Sequence, residues 1–109
     1  MTFRGAVEKY LAAVAAQAKR GDAREESYYD ALKSLFEDAG PLLSNAHTSL
    51  TVLPRETEAG NPDMRVWSDD QHVTGYVECK EPGDTNLDRV EVSEQLKRYR
   101  AAFPNVILT

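Results

Sequence analysis

Cysteine is almost missing from this 109-residue chain, in which Cys79 stands alone. A single thiol excludes an internal disulfide and any cysteine-built zinc cluster. Long apolar runs are missing too, since none approaches the roughly 18 residues of a membrane-spanning helix. The alanine-rich stretch from Tyr10 to Ala18 follows no basic leader and ends at no convincing cleavage site. These absences predict a cytoplasmic protein without a membrane segment. Positive charge is also short. Thirteen Lys and Arg stand against 18 Asp and Glu, a net charge of -5, which argues against a stand-alone nucleic-acid binder because phosphate contacts draw on Lys and Arg. The bases are unevenly placed: Arg89, Lys97, Arg98 and Arg100 crowd the C-terminal helix, and Arg55 and Arg65 bracket Pro62-Asp63. A solvated helix face explains the first group as well as a polyanionic partner does.

What remains is the composition of an ordinary globular domain, 41% apolar and 28% charged, of a length that suits one small core. Phe3, Val7, Tyr10, Leu11 and Val14 recur at helical spacing and predict a helix over 3–19 capped by Thr2. Arg20-Gly21-Asp22 breaks it. A second helix is predicted over 24–39 with Asp22 as its cap. Tyr28, Leu32, Leu35, Phe36 and Ala39 form its apolar stripe, and Gly40-Pro41 is the stop signal. Residues 49–53 alternate as a strand ended by Pro54, and 55–61 read as a loop. Residues 63–67 and 73–80 read as two strands around a turn at 68–71, most simply an antiparallel hairpin. After a loop over 81–88, a helix over 89–103 carries Val92, Leu96, Tyr99 and Phe103 on one face. Pro104 interrupts, and 105–109 read as a fourth strand, brought in parallel by the helical crossover. The order is α, α, β, β, β, α, β, without repeats or low-complexity segments. The apolar strand at the end suggests the front piece of a longer protein.

The chemistry concentrates in the hairpin. Pro62-Asp63 is followed after 14 residues by Glu78-Cys79-Lys80. Side chains two apart on a strand share a face, so Glu78 and Lys80 point together while Val77 and Cys79 point into the core. Asp63 opens the preceding strand, and a hairpin brings it beside Glu78. Clustered carboxylates repel unless a cation is present. Two of them beside one ammonium group suit a hard divalent cation and a phosphate ester. In the competing account, Lys80 neutralises one carboxylate in a structural charge ladder.

The second helix supplies another acid. At about 100° per residue, Glu25 lies in the direction of Tyr28, Tyr29, Leu32 and Phe36, at the end of the buried stripe. An acid there is costly unless paired or bound to metal. Glu26 points towards Asp30 and Lys33 and reads as solvated. Gln95 and Tyr99 are one turn apart on the last helix; they read either as a polar flank and a core residue of its stripe or as a pair that reaches a substrate phosphate or orients Lys80. His47 and His72 have no spaced partner and read as solvated. Ser27 has no nearby histidine to activate it. Glycine-rich phosphate loops and the motifs of an adenine methyltransferase are absent.

These residues resemble the motifs of the PD-(D/E)xK nuclease superfamily. Pro62-Asp63 looks like the first motif, Glu78-Cys79-Lys80 the second, and Gln95-Leu96-Lys97-Arg98-Tyr99 the Gln-x-x-x-Tyr element of some branches. Glu25-Glu26-Ser27-Tyr28-Tyr29-Asp30-Ala31-Leu32, Gly60-Asn61-Pro62-Asp63, Gly75-Tyr76-Val77-Glu78-Cys79-Lys80 and Ser93-Glu94-Gln95-Leu96-Lys97-Arg98-Tyr99 are similar to one group within it. That group comprises the nuclease domains fused to N6-adenine DNA methyltransferases in bacterial restriction-modification enzymes. The likeness covers roughly 24–109. It departs at Cys79, where such domains often carry alanine, and at Glu26, where they often carry histidine.

The resemblance implies an α/β fold with a restriction-endonuclease-like αβββαβ core, a small mixed sheet flanked by helices and preceded here by an extra N-terminal helix. It implies an endonuclease that hydrolyses DNA phosphodiesters with Mg2+, or Mn2+ as a substitute. Asp63 and Glu78 would ligate the metal with the backbone carbonyl of Cys79, and Glu25 would complete the shell directly or through water. Lys80 would position the attacking water, and Gln95 and Tyr99 would orient the phosphate or the lysine. Methyltransferase and target-recognition domains would be covalent partners. The competing readings are a catalytically inactive domain that docks DNA or a partner module, and a generic α/β fold with a structural charge ladder.

Overall fold

The computed structural model of the chain describes every residue except 44–46, 58, 70, 84, 85 and 104. Helix α1 (Phe3–Lys19) starts where its cap predicts, with Thr2 Oγ1 accepting the Gly5 N–H at 2.9 Å. The second helix starts differently from expectation. Glu25–Tyr28 form a 3-10 turn, in which Ser27 Oγ accepts the Arg24 N–H at 3.1 Å, and α2 (Tyr29–Leu43) follows. Asp22 lies too early to cap it, because the backbone at Arg24 is extended and a cap must adjoin the first turn. Gly40-Pro41 does not end α2, since Pro41 lies inside its last turn. A proline there forfeits one backbone donor but holds a helical φ, and the helix continues into the exposed Leu42 and Leu43.

Strands β1 (Ser49–Val52), β2 (Met64–Trp67), β3 (Val73–Glu78) and β4 (Val106–Leu108) form one sheet in that order. The first three are antiparallel neighbours and β4 joins β3 in parallel, so the sheet is mixed as expected. β1 stops one residue early because Leu53 takes a φ of +49° ahead of Pro54. The crossover helix expected over 89–103 is two helices, α3 (Leu87–Glu91) and α4 (Glu94–Ala102). Ser93 divides them. Its backbone is extended and its Oγ accepts the Leu96 N–H at 3.3 Å, an N-cap that outweighs the helical spacing of the apolar residues. Val92, expected on the buried face, is therefore 59% exposed. The expected interruption at Pro104 lies outside the described residues.

The main core joins one face of the sheet to α2. Leu50, Met64, Val77 and Cys79 pack with Tyr29 and Leu32, and Tyr10 of α1 meets the edge of this cluster. Met64 and Val77, partners across the β2–β3 ladder, are fully buried. Phe3 and Leu11, expected on the covered stripe of α1, are exposed, and Ala6 is its buried residue. The cause is that α1 rests chiefly on α2, so one narrow strip of its surface is covered. On the opposite face of the sheet, Phe103 after α4 stacks on Tyr76 with ring centroids 3.9 Å apart, and Tyr99 lies 5.5 Å from Phe103. Gly75 admits β4: a Cβ there would come within 2.9 Å of the Asn105 carbonyl oxygen. No helix among the described residues is long and apolar enough to cross a membrane.

Candidate active site

Register places the acids. Met64 faces Val77 across the hairpin, so the next rung sets Asp63 opposite Glu78 on the same face. The neighbouring strands hold both backbones. Leu53 N–H donates to the Asp63 carbonyl at 2.8 Å, and Thr109 N–H donates to the Glu78 carbonyl at 3.0 Å. The Asp63 carboxylate is clamped at each oxygen: Oδ1 accepts the Tyr29 hydroxyl at 2.7 Å and Oδ2 accepts the Cys79 backbone N–H at 2.7 Å. Tyr29 Oη also lies 3.3 Å from Glu25 Oε1. One hydroxyl proton cannot serve both acids, and the shorter contact belongs to Asp63. Burial and the Asp63 carboxylate push the Tyr29 phenol far above its ordinary value, so it remains a donor.

Glu78 is 3% exposed, and its Oε1 has no hydrogen-bond partner. Burial, then the facing Asp63, push its carboxyl up to about 8. Glu25 is raised as well, first by burial and then by Asp63. The positive charge of Lys80 opposes both shifts. Among the described residues, however, Lys80 belongs to no ion pair, so the charge ladder lacks its central contact. Glu25 and Lys80 line a common cleft of about 30 Å³ with Tyr10, Tyr29 and Cys79, room for a water molecule or two. Glu26 points outward and pairs with Arg24 at 2.9 Å, so Glu25 is the helix acid beside the pair. The Cys79 thiol is buried, as expected, and burial pushes it up to about 12.

Gln95 and Tyr99 meet as their spacing predicts, with Gln95 Nε2 donating to the Tyr99 hydroxyl at 3.1 Å. Burial raises the Tyr99 phenol, the Gln95 hydrogen bond opposes that shift, and the charges of Glu78 and Asp63 add to it. Helix α4 also holds the loop that leads into Pro62-Asp63. Arg98 Nε donates to the Ala59 carbonyl at 3.4 Å. Gly60, at a φ of +127°, lies under Tyr99, where a Cβ would sit 3.4 Å from the ring. His72 is exposed as its sequence reading has it, but it has a partner: its Nδ1 lies 2.7 Å from Asp69 Oδ2 in the hairpin turn. His47 is exposed. Tyr29 is the site residue that sequence reasoning places only on an apolar stripe. Its i, i+4 spacing from Glu25 is the signal that reveals the contact.

The donor set is all oxygen, which suits Mg2+ or Mn2+, and the orphaned Glu78 Oε1 is an acceptor without a donor. Among the described residues, no three of His, Cys, Asp and Glu are drawn together tightly enough to form a shell by themselves. The Tyr29 hydroxyl lies between Glu25 and Asp63 and keeps those two carboxylates apart.

No protein-family profile matches the sequence, and no curated protein matches it. Among solved structures the chain is similar to a cryo-EM structure of a DrdV–DNA complex. The TM-score is 0.65 and the identity 24%, covering 95% of this chain and 72% of that one. The likeness shows a shared fold, a four-stranded mixed sheet flanked by helices and preceded by an N-terminal helix.

Proposed function

We propose that this chain is a metal-dependent endonuclease domain that hydrolyses DNA phosphodiester bonds in a restriction-modification system. The observation that carries the reading is the facing pair of acids, Asp63 clamped on both oxygens and Glu78 buried with one oxygen unsatisfied. A buried acid with an unsatisfied oxygen destabilises a fold, and a bound divalent cation offsets that cost. The likeness to a structure determined with DNA supports DNA as the substrate.

Asp63, Glu78 and the Cys79 carbonyl would hold Mg2+, with Glu25 behind them, and the ion would supply a Lewis acid for the phosphoryl oxygen. Tyr29 fixes the orientation of Asp63. The Lys80 ammonium offsets negative charge that develops on the phosphate and orients the water whose oxygen bonds to phosphorus as the ester P–O bond breaks. The hydroxyl of Tyr99, held by Gln95, orients the phosphate or Lys80. Linked methyltransferase and target-recognition domains would choose the sequence to be cut.

Cleavage of duplex DNA by the complete protein in Mg2+ tests this. Asp63→Ala and Lys80→Ala should each lower the rate by roughly 100-fold or more, and wild-type cleavage by either variant refutes the assignment. A catalytically inactive docking domain is the second reading, favoured by the net charge of -5 and the ungathered third acid. Under it, Mg2+ gives neither calorimetric heat nor a thermal shift.

A further inference from the structure

Arg65 is a cation that the mechanism above leaves unused. It follows Asp63 by two residues, so it shares that face of the sheet, opposite Tyr76 on β3 and Thr51 on β1. Its guanidinium carbon lies 5.7 Å from the centre of the Tyr76 ring and 6.0 Å from that of Trp67. Both rings are fixed. The Trp67 indole N–H donates to Thr51 Oγ1 at 3.0 Å, and Tyr76 stacks on Phe103. Arg65 Nε is buried without a hydrogen-bond partner, and among the described residues no carboxylate pairs with this side chain. Arg4, Lys9, Arg24, Lys97 and Arg100 each have an acid partner. In an acidic protein, a part-buried guanidinium with ring faces for neighbours and no counter-charge is set apart.

We propose that Arg65 anchors a phosphate of the bound DNA strand, next to the phosphate that is cut. The proposal rests on the nuclease reading and adds a binding residue to it. Two residues along a strand span roughly 6.8 Å, which puts Arg65 about one nucleotide step from the Asp63–Glu78 pair. The rings orient the guanidinium without neutralising it, and its planar fork matches two oxygens of one phosphate. The DNA backbone brings the counter-charge that the fold omits.

The test is titration of the complete protein with a short fluorescently labelled DNA duplex in EDTA at several salt concentrations. Arg65→Gln should weaken binding roughly 10- to 100-fold and reduce the slope of log K against log[salt] by about 0.9. Emission from Trp67, the chain's single tryptophan, should change on binding in the wild type and not in the variant. Arg65→Lys keeps the charge without the fork, so it should keep the slope and lose affinity. It decides the matter if Arg65→Gln does not fold. Wild-type affinity and slope in Arg65→Gln, or wild-type affinity in Arg65→Lys, overturn the anchor. Metal-dependent cleavage that still requires Lys80 would leave the nuclease reading standing in that case. A wild-type protein that neither binds nor cuts DNA overturns both.

Discussion

Replacing Glu78 with glutamine keeps the side chain's size and removes its titration, so the variant should gain on the metal-free wild type as pH rises. Glu78 is 3% exposed and faces Asp63, and its carboxyl is raised from 4.5 to about 8. The folded protein thus retains a proton that the unfolded chain has released. The stability linked to that proton is fully present below 4.5 and is lost as pH rises through about 8. At about 1.4 kcal/mol per pKa unit, the wild type loses about 3 kcal/mol between pH 4.5 and pH 7, and on the order of 4 kcal/mol by pH 9. For a domain of this size the loss at pH 7 corresponds to roughly 10–15 °C in Tm. Urea unfolding of both proteins in EDTA at pH 5, 7 and 9 measures it. The gap should widen in favour of Glu78→Gln, and Mg2+ at pH 9 should restore the wild type alone, because the ion requires the deprotonated acid. Two stability curves that run parallel from pH 5 to pH 9 would refute the argument.

Tyr29→Phe removes the hydroxyl that holds Asp63 Oδ1. It should cost about 1.5–3 kcal/mol in urea unfolding and slow cleavage at least about tenfold while leaving DNA affinity unchanged; an unimpaired rate rejects the positioning role. Gly60→Ala places a side chain at a φ of +127° and 3.4 Å from Tyr99. It should cost about 1–3 kcal/mol, read by thermal melting, and a wild-type Tm contradicts it. Met64→Ala empties a fully buried position and should cost about 2–5 kcal/mol in the same measurement; a loss below about 1 kcal/mol shows that the core closes around the gap.

Much of the fold is legible along the chain. Thr2 marks the start of α1. The two short strands around the 68–71 turn pair as a hairpin, and the last strand joins the sheet in parallel, both as expected. Glu25 is told from Glu26 by their directions around the helix, and the structure leaves the first half-buried and the second exposed. Failures occur where two local signals compete. Ser93 carries both a helical position and a cap, and the cap prevails. Pro41 reads as a stop, yet a proline in the last turn forfeits one donor at most.

The residues alone determined which chemical groups this protein has and which of them share a face, because those relations follow from the fixed periods of helix and strand. Folding in three dimensions determined which groups meet and which lose water. Tyr29 reaches Asp63 because α2 packs against one face of the sheet, a contact spanning 34 residues. Burial, then the facing Asp63, hold the Glu78 carboxyl up at about 8. Among the described residues Arg65 is left without a counter-charge because Thr51 and Tyr76 face it across the sheet and Trp67 lies beside it on its own strand. Desolvation and Coulomb energy depend on separations between elements, and no spacing along a chain specifies those.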